Sequence, residues 1–197
     1  MSGNIIDGNE LETYFWSMGD ISDLRSTIET ISKDVGFQTV KWSDSGRFVA
    51  LASNPPNVIW GLPYLHYLVR LDRYDSSLLK QYLECVAKHE KMHQRRLDAG
   101  ESYANLAACS TYDNPIDYIK TLLIGHLVAE TPMDVDEDEY LMFKIKLRNY
   151  MWAWLSKDFS WLREDVKNSL IEDAIKDVYD ISERYMIKRG LVPIKKV

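Results

Sequence analysis

The chain has 197 residues, 46% hydrophobic and 27% charged, with a formal net charge of −6. Such a composition excludes intrinsic disorder, and a chain of this length can bury a full core without disulfides or a structural metal. The acidic balance lacks the basic face that displaces counterions from phosphates, so nucleic acid is not an expected partner.

Two cysteines, Cys85 and Cys109, are too few for a disulfide framework and wrongly spaced for a Cys-based zinc site, which suits a reducing compartment. Met1 to Glu12 contains neither a basic region nor an apolar run, and no stretch approaches about eighteen apolar residues. The expectation is a cytoplasmic chain with no signal peptide, no transmembrane segment and no membrane partner.

In chain order, Asp20 is placed to cap a helix whose apolar stripe is Ile21, Leu24, Ile28 and Ile31, with Gly36 ending it. Phe37 to Trp42 and Arg47 to Ala52 are short runs rich in aromatic and β-branched residues. They flank Ser43-Asp44-Ser45-Gly46, a good turn sequence, and predict a β-hairpin over about 37–52. Asn54-Pro55-Pro56-Asn57 reads as a rigid loop.

From residue 63 onward the pattern is helical. Pro63 leads into Tyr64 to Arg73, and Asp75 or Ser76 caps a long helix to about Asp98. A short piece follows over Ser102 to Ala108. Asn114-Pro115 opens a helix to about Ala129, and Glu137 to Leu155 forms the next. Ser160 is placed to cap the last helix, to about Lys188, with the stripe Leu162, Val166, Leu170, Ala174, Val178, Ile181 and Tyr185. The expected fold is mainly α: a bundle of five to seven helices with one N-terminal hairpin. It is read as one domain over 1–197, with a helical segment (1–36), the hairpin (37–52), the bundle (63–188) and a basic tail (189–197).

His89-Glu90-Lys91-Met92-His93 spells H-E-x-x-H inside the long helix. Histidines at i and i+4 share a helix face and can both ligate zinc, with the glutamate as general base on a metal-bound water. Over these five residues the chain resembles the zinc metallopeptidase signature, which implies metal on His89 and His93 and catalysis by Glu90. It departs from the longer metzincin pattern, since Arg96 and Ala99 stand where that pattern has glycine and histidine. Lys91 is charged where such helices carry an uncharged residue. A third acidic ligand would be Glu101 or Glu130.

A second metal reading follows from periodicity. Leu79, Leu83, Val86, Glu90, His93 and Leu97 alternate by four and three, which puts Glu90 and His93 on the inward seam and His89 toward its flank. Glu-x-x-His facing into a bundle is half a di-iron or di-manganese ligand set, but Leu123 precedes His126 where a second glutamate is needed. A mononuclear zinc, iron or manganese site on Glu90, His93 and His126 or His66 remains as an alternative to no cofactor at all. The bland reading is a Glu and a His satisfying one another at the edge of a core.

Asp134-Val135-Asp136-Glu137-Asp138-Glu139 begins like a calcium loop, but Glu139 replaces the required glycine and Ile145 the required twelfth-position glutamate. No G-x-S-x-G elbow and no Gly-rich phosphate loop is present. Tyr150 to Trp154, with Phe159 and Trp161, is the densest aromatic segment. Trp152 and Trp154 point about 200° apart on one helix, so one of them, or Trp60, is a candidate interface residue.

The expected function is therefore a non-catalytic helical protein acting through contact with a protein partner or through self-association, of the type seen in viral or phage structural and accessory proteins. The alternatives are a metal-dependent enzyme centred on His89, Glu90 and His93, and a groove-type binder of a small ligand or peptide.

Overall fold

The first described helix, α1 (Ser22–Asp34), buries Leu24 and Ile28 and ends where the sequence says it should. Gly36 takes a φ of 99°, its N–H bonds to the Lys33 carbonyl, and the Phe37 N–H reaches back to the Ser32 carbonyl. This pair of bonds is a Schellman motif, and glycine is required because a Cβ disfavours the left-handed conformation. The computed structural model describes residues 22–44, 48–53, 56–96, 98–130, 137–188 and 190. The Asp20 cap, the centre of the 43–46 turn, the start of the 134–139 acidic run and nearly all of the 189–197 tail lie outside them.

Within the 1–197 span read as one domain, the chain gathers into two compact units, Met1–Ala108 and Cys109–Val197. In the first, three strands follow α1: β1 (Thr39–Ser43), β2 (Ala50–Ala52) and β3 (Asn57–Gly61). The fold class is as expected, mainly α with a small N-terminal sheet, but the pairing differs from the expected 37–52 hairpin. The order is β1-β3-β2, with β3 parallel to β1 and antiparallel to β2, so the hairpin is β2–β3. The cause is tertiary. β3 reads Asn-Val-Ile-Trp-Gly, and in the central position Val58 and Trp60 are almost fully buried, which a β1–β2 pairing would not achieve. Trp60 is thus a core residue, not a surface contact, and its Nε1–H donates to Ser32 Oγ at 3.1 Å.

A 3₁₀ turn (Leu62–Tyr64) carrying Pro63 leads into α2 (Leu65–Tyr74), which buries Leu65, Leu68 and Leu71. The long α3 (Ser76–Arg95) packs on α1, α2 and β2, and stops before the expected Asp98. Asp75 caps it: Oδ1 accepts the N–H groups of Ser77 and Leu78, each at 3.0 Å. Asp75→Ala is expected to cost about 1 kcal/mol, read from the denaturant midpoint of unfolding. After α3 comes α4 (Glu101–Cys109).

The second unit is built from α5 (Pro115–Glu130), α6 (Glu137–Asp158) and α7 (Glu164–Lys188), with α7 packed on both of the others. Asn114 Oδ1 accepts the Ile116 N–H, the expected cap ahead of Pro115. Buried Tyr118, Ile119, Leu122, Leu123, Ile124, Leu127 and Val128 leave α5 few polar positions. α7 buries Leu170, Ala174, Val178 and Ile181 of its expected stripe, but it begins at Glu164 and not after Ser160. The segment between is a turn wrapped on the buried Phe159 ring, and Glu164 and Asp165 supply the negative charge that suits a helix start. Trp154 meets Phe159 edge-on at 5.0 Å and is half-buried. Trp152 is also half-buried, with the Lys167 ammonium 5.9 Å from its ring centre.

Candidate metal centre

Two pairs of residues, each spaced by four, face one another across the first unit. His89 and His93 lie one turn apart on α3; Glu101 and Asn105 lie one turn apart on α4. The turn between the helices places Glu101 there. The Tyr103 and Ala104 N–H groups both bond to the Gly100 carbonyl, and the Arg96 guanidinium lies 4.9 Å from the centre of the Tyr103 ring.

The Nε2 atoms of the two histidines and the Glu101 carboxylate converge. His89 Nε2 is 3.1 Å from His93 Nε2 and 3.0 Å from Glu101 Oε2, and His93 Nε2 is 3.6 Å from Glu101 Oε1. Bonds of about 2.0–2.1 Å to a tetrahedral zinc set ligand atoms about 3.3 Å apart. The adjacent edge of an octahedron with similar bonds is about 3.0 Å. The two separations from His89 Nε2 fall around these values, and a shift of the Glu101 carboxylate that brings one oxygen toward both histidines would admit a first-row divalent ion. Among the described residues this is the one grouping of three His, Cys, Asp or Glu side chains with such spacing.

The outer nitrogen of His89 is occupied as ligation demands: Nδ1 is 2.9 Å from Asn105 Oδ1. An acceptor on the far side of a ring holds its orientation and makes it a better donor to a metal. The histidine side chains are 13% and 18% exposed, whereas that of Glu101 is 55% exposed, so the centre opens to solvent on the α4 side.

Glu90 does something else. In the β2–β3 register, Val49 and Ser53 carry the ladder hydrogen bonds, which turns the Ala52 N–H outward to the open edge of β2. Glu90 Oε2 accepts that N–H at 2.6 Å. One turn on, buried Gln94 donates through Nε2 to the carbonyls of Ser53 (3.1 Å) and Asn57 (2.7 Å). Lys91 donates to the Gly36 carbonyl at 2.7 Å and lies over the Phe37 ring. The residues interleaved with the two histidines therefore fasten α3 to the sheet and to the end of α1.

Of the residues singled out from sequence, His89 and His93 come together. Glu90 is spent on the strand edge, contrary to its expected pairing with His93 as a ligand. The third donor is Glu101, one of the two acidic candidates, although no local pattern marks it. Asn105 was missed, although its spacing from Glu101 repeats that of the two histidines. His126 belongs to the second unit, where its ring meets Trp154 edge-on at 5.6 Å and burial pulls its pKa down to about 4. The side chains of His66 and Glu130 lie outside the described set.

The protonation balance follows from the same contacts. Hydrogen bonds from His89 and then His93 hold the Glu101 carboxylate far below the usual range. The bond to Glu101 raises His93 above its ordinary 6.5, against the opposing effect of burial. Burial raises Glu90 above 4.5. Stabilisation from Glu101 is present above about pH 4.5 and lost as pH falls through its folded pKa; that from His93 is present below about pH 6.5 and lost as pH rises through its raised value. Glu90 follows the same direction as His93. In chelator-treated protein the stability difference between wild type and Glu101→Gln should therefore be largest near pH 5–6 and shrink toward pH 8. Solvent screening keeps it below about 1 kcal/mol. Urea titrations across that range check it.

Comparison with protein-family models, with curated proteins and with solved structures gives no match for this chain.

Proposed function

We propose that this chain binds one divalent transition metal, zinc by preference, through His89 Nε2, His93 Nε2 and a Glu101 carboxylate oxygen. The observation that carries this reading is the convergence of two imidazoles and a carboxylate from two helices, in contacts of 3.0 to 3.6 Å, with the outer nitrogen of His89 already bonded to Asn105. Two imidazoles and a carboxylate suit zinc, iron or manganese, and three protein ligands leave a coordination position open. A metal held this way acidifies a bound water and polarises a carbonyl, which is hydrolytic chemistry. Glu90 is not counted as the general base, because its carboxylate holds the Ala52 N–H.

Native mass spectrometry with elemental analysis, on protein purified without chelator, tests the proposal. One equivalent of zinc, iron or manganese that disappears in His93→Ala is expected. A metal-free protein that also takes up no added zinc overturns it.

The reading of a non-catalytic protein that works through contacts is kept as a second proposal, supported by the exposed Tyr150 and Trp161 of the second unit. The same spectra report it as a discrete oligomer.

A further inference from the structure

We propose that Asn105 is the positioning residue of this centre: its side-chain carbonyl accepts the Nδ1–H of His89 and so keeps Nε2 as the nitrogen turned to the metal. The inference rests on the metal-binding reading above and deepens it.

A neutral imidazole carries one N–H, so the bond made by one nitrogen decides the role of the other. Asn105 Oδ1 lies 2.9 Å from Nδ1, and a carbonyl oxygen can only accept. Nδ1 therefore donates its proton to Asn105, and Nε2 is the nitrogen turned to His93 Nε2 and Glu101 Oε2. In the metal-free site the Glu101 carboxylate accepts a proton from Nε2, and that proton leaves when the metal takes its place, while Nδ1–H stays on Asn105.

The cost of placing an amide here supports the assignment. Asn105 is 3% exposed in the middle of a nine-residue helix whose other buried side chains are Ala104, Ala108 and Cys109. Asparagine is a poor residue for a helix interior, because its amide competes with the helix for backbone hydrogen bonds, and a buried amide needs partners. Alanine would suit this face better on helix propensity alone. The amide also stands one turn from Glu101, so a single helix delivers both a metal donor and the acceptor that orients a second donor.

The test is zinc affinity, measured by competition with a chromophoric chelator, for wild type, Asn105→Ala and Asn105→Asp. Loss of an outer hydrogen-bond partner of a metal-bound histidine weakens binding by roughly 10–100-fold, and Asn105→Ala is expected in that range. Asn105→Asp keeps an acceptor for the Nδ1 proton and should return affinity to within about threefold of wild type, a rescue that depends on the acceptor and not on helix packing. Far-UV circular dichroism reports whether both variants keep wild-type helicity. Nitrogen-15 NMR of zinc-loaded wild-type protein reads the ligating nitrogen without any variant, and His89 should hold zinc on Nε2 and a proton on Nδ1. The inference is overturned if Asn105→Ala binds zinc as tightly as wild type, if Asn105→Asp binds no better than Asn105→Ala, or if His89 ligates through Nδ1. Wild-type protein that binds no zinc would instead sink the metal-binding reading itself, and this inference with it.

Discussion

His93→Ala is expected to abolish stoichiometric metal binding and, with it, the stabilisation that zinc confers on the first unit. The imidazole is a direct donor, so its removal should cost more than the roughly 10–100-fold expected for an outer partner. The stability consequence follows by mass action: zinc at a hundred times its dissociation constant adds about 2.7 kcal/mol to a site present only in the folded protein. Denaturant titrations with and without zinc should differ by about that amount in wild type and coincide in His93→Ala, His89→Ala and Glu101→Ala. Protons oppose the metal at the same atoms. Because His93 holds its proton more tightly than an ordinary histidine, zinc affinity should fall as pH is lowered through and below neutrality. Wild-type midpoints that do not move with zinc would remove the site.

Glu90 separates the two meanings of H-E-x-x-H. If its place is the edge of β2, Glu90→Ala leaves the Ala52 N–H without its acceptor and should cost about 1–3 kcal/mol, read as a lower urea midpoint. Glu90→Gln keeps a carbonyl oxygen for that N–H and removes a charge that burial disfavours, so its stability at neutral pH should equal or exceed that of wild type. Zinc affinity should be unchanged in Glu90→Gln, since His89, His93 and Glu101 are intact. A Glu90→Gln protein that folds normally but loses zinc would show the carboxylate to be a ligand and return the seam pairing of Glu90 with His93 to consideration. A stable Glu90→Ala protein would show that the strand-edge bond contributes little.

Helix positions were legible because their causes are local: Asp75 and Asn114 as caps, Gly36 as a left-handed terminus, and Leu170, Ala174, Val178 and Ile181 as a stripe. Two strands were legible for the same reason, from the β-branched and aromatic residues of the runs 37–42 and 47–52, where Phe48 and Val49 lead into β2. Strand pairing was not. Ser43 to Gly46 resembles a hairpin turn locally, but β3 lies between its two flanking strands because that position buries Val58 and Trp60.

The candidate site divides along the same line. The four-residue spacing of His89 and His93 places both on one face of a helix whatever the rest of the fold does, and the sequence alone determined that much. Which neighbour completes the set was decided by tertiary structure. α3 stops at Arg95, and the turn after it brings Glu101 and Asn105 back onto the histidines, while the edge of β2 claims Glu90. The physical reason is reach. A helix repeats every 3.6 residues and fixes its own faces, but a hydrogen bond spanning 38 residues, such as that from Ala52 to Glu90, exists only once strands and helices have packed.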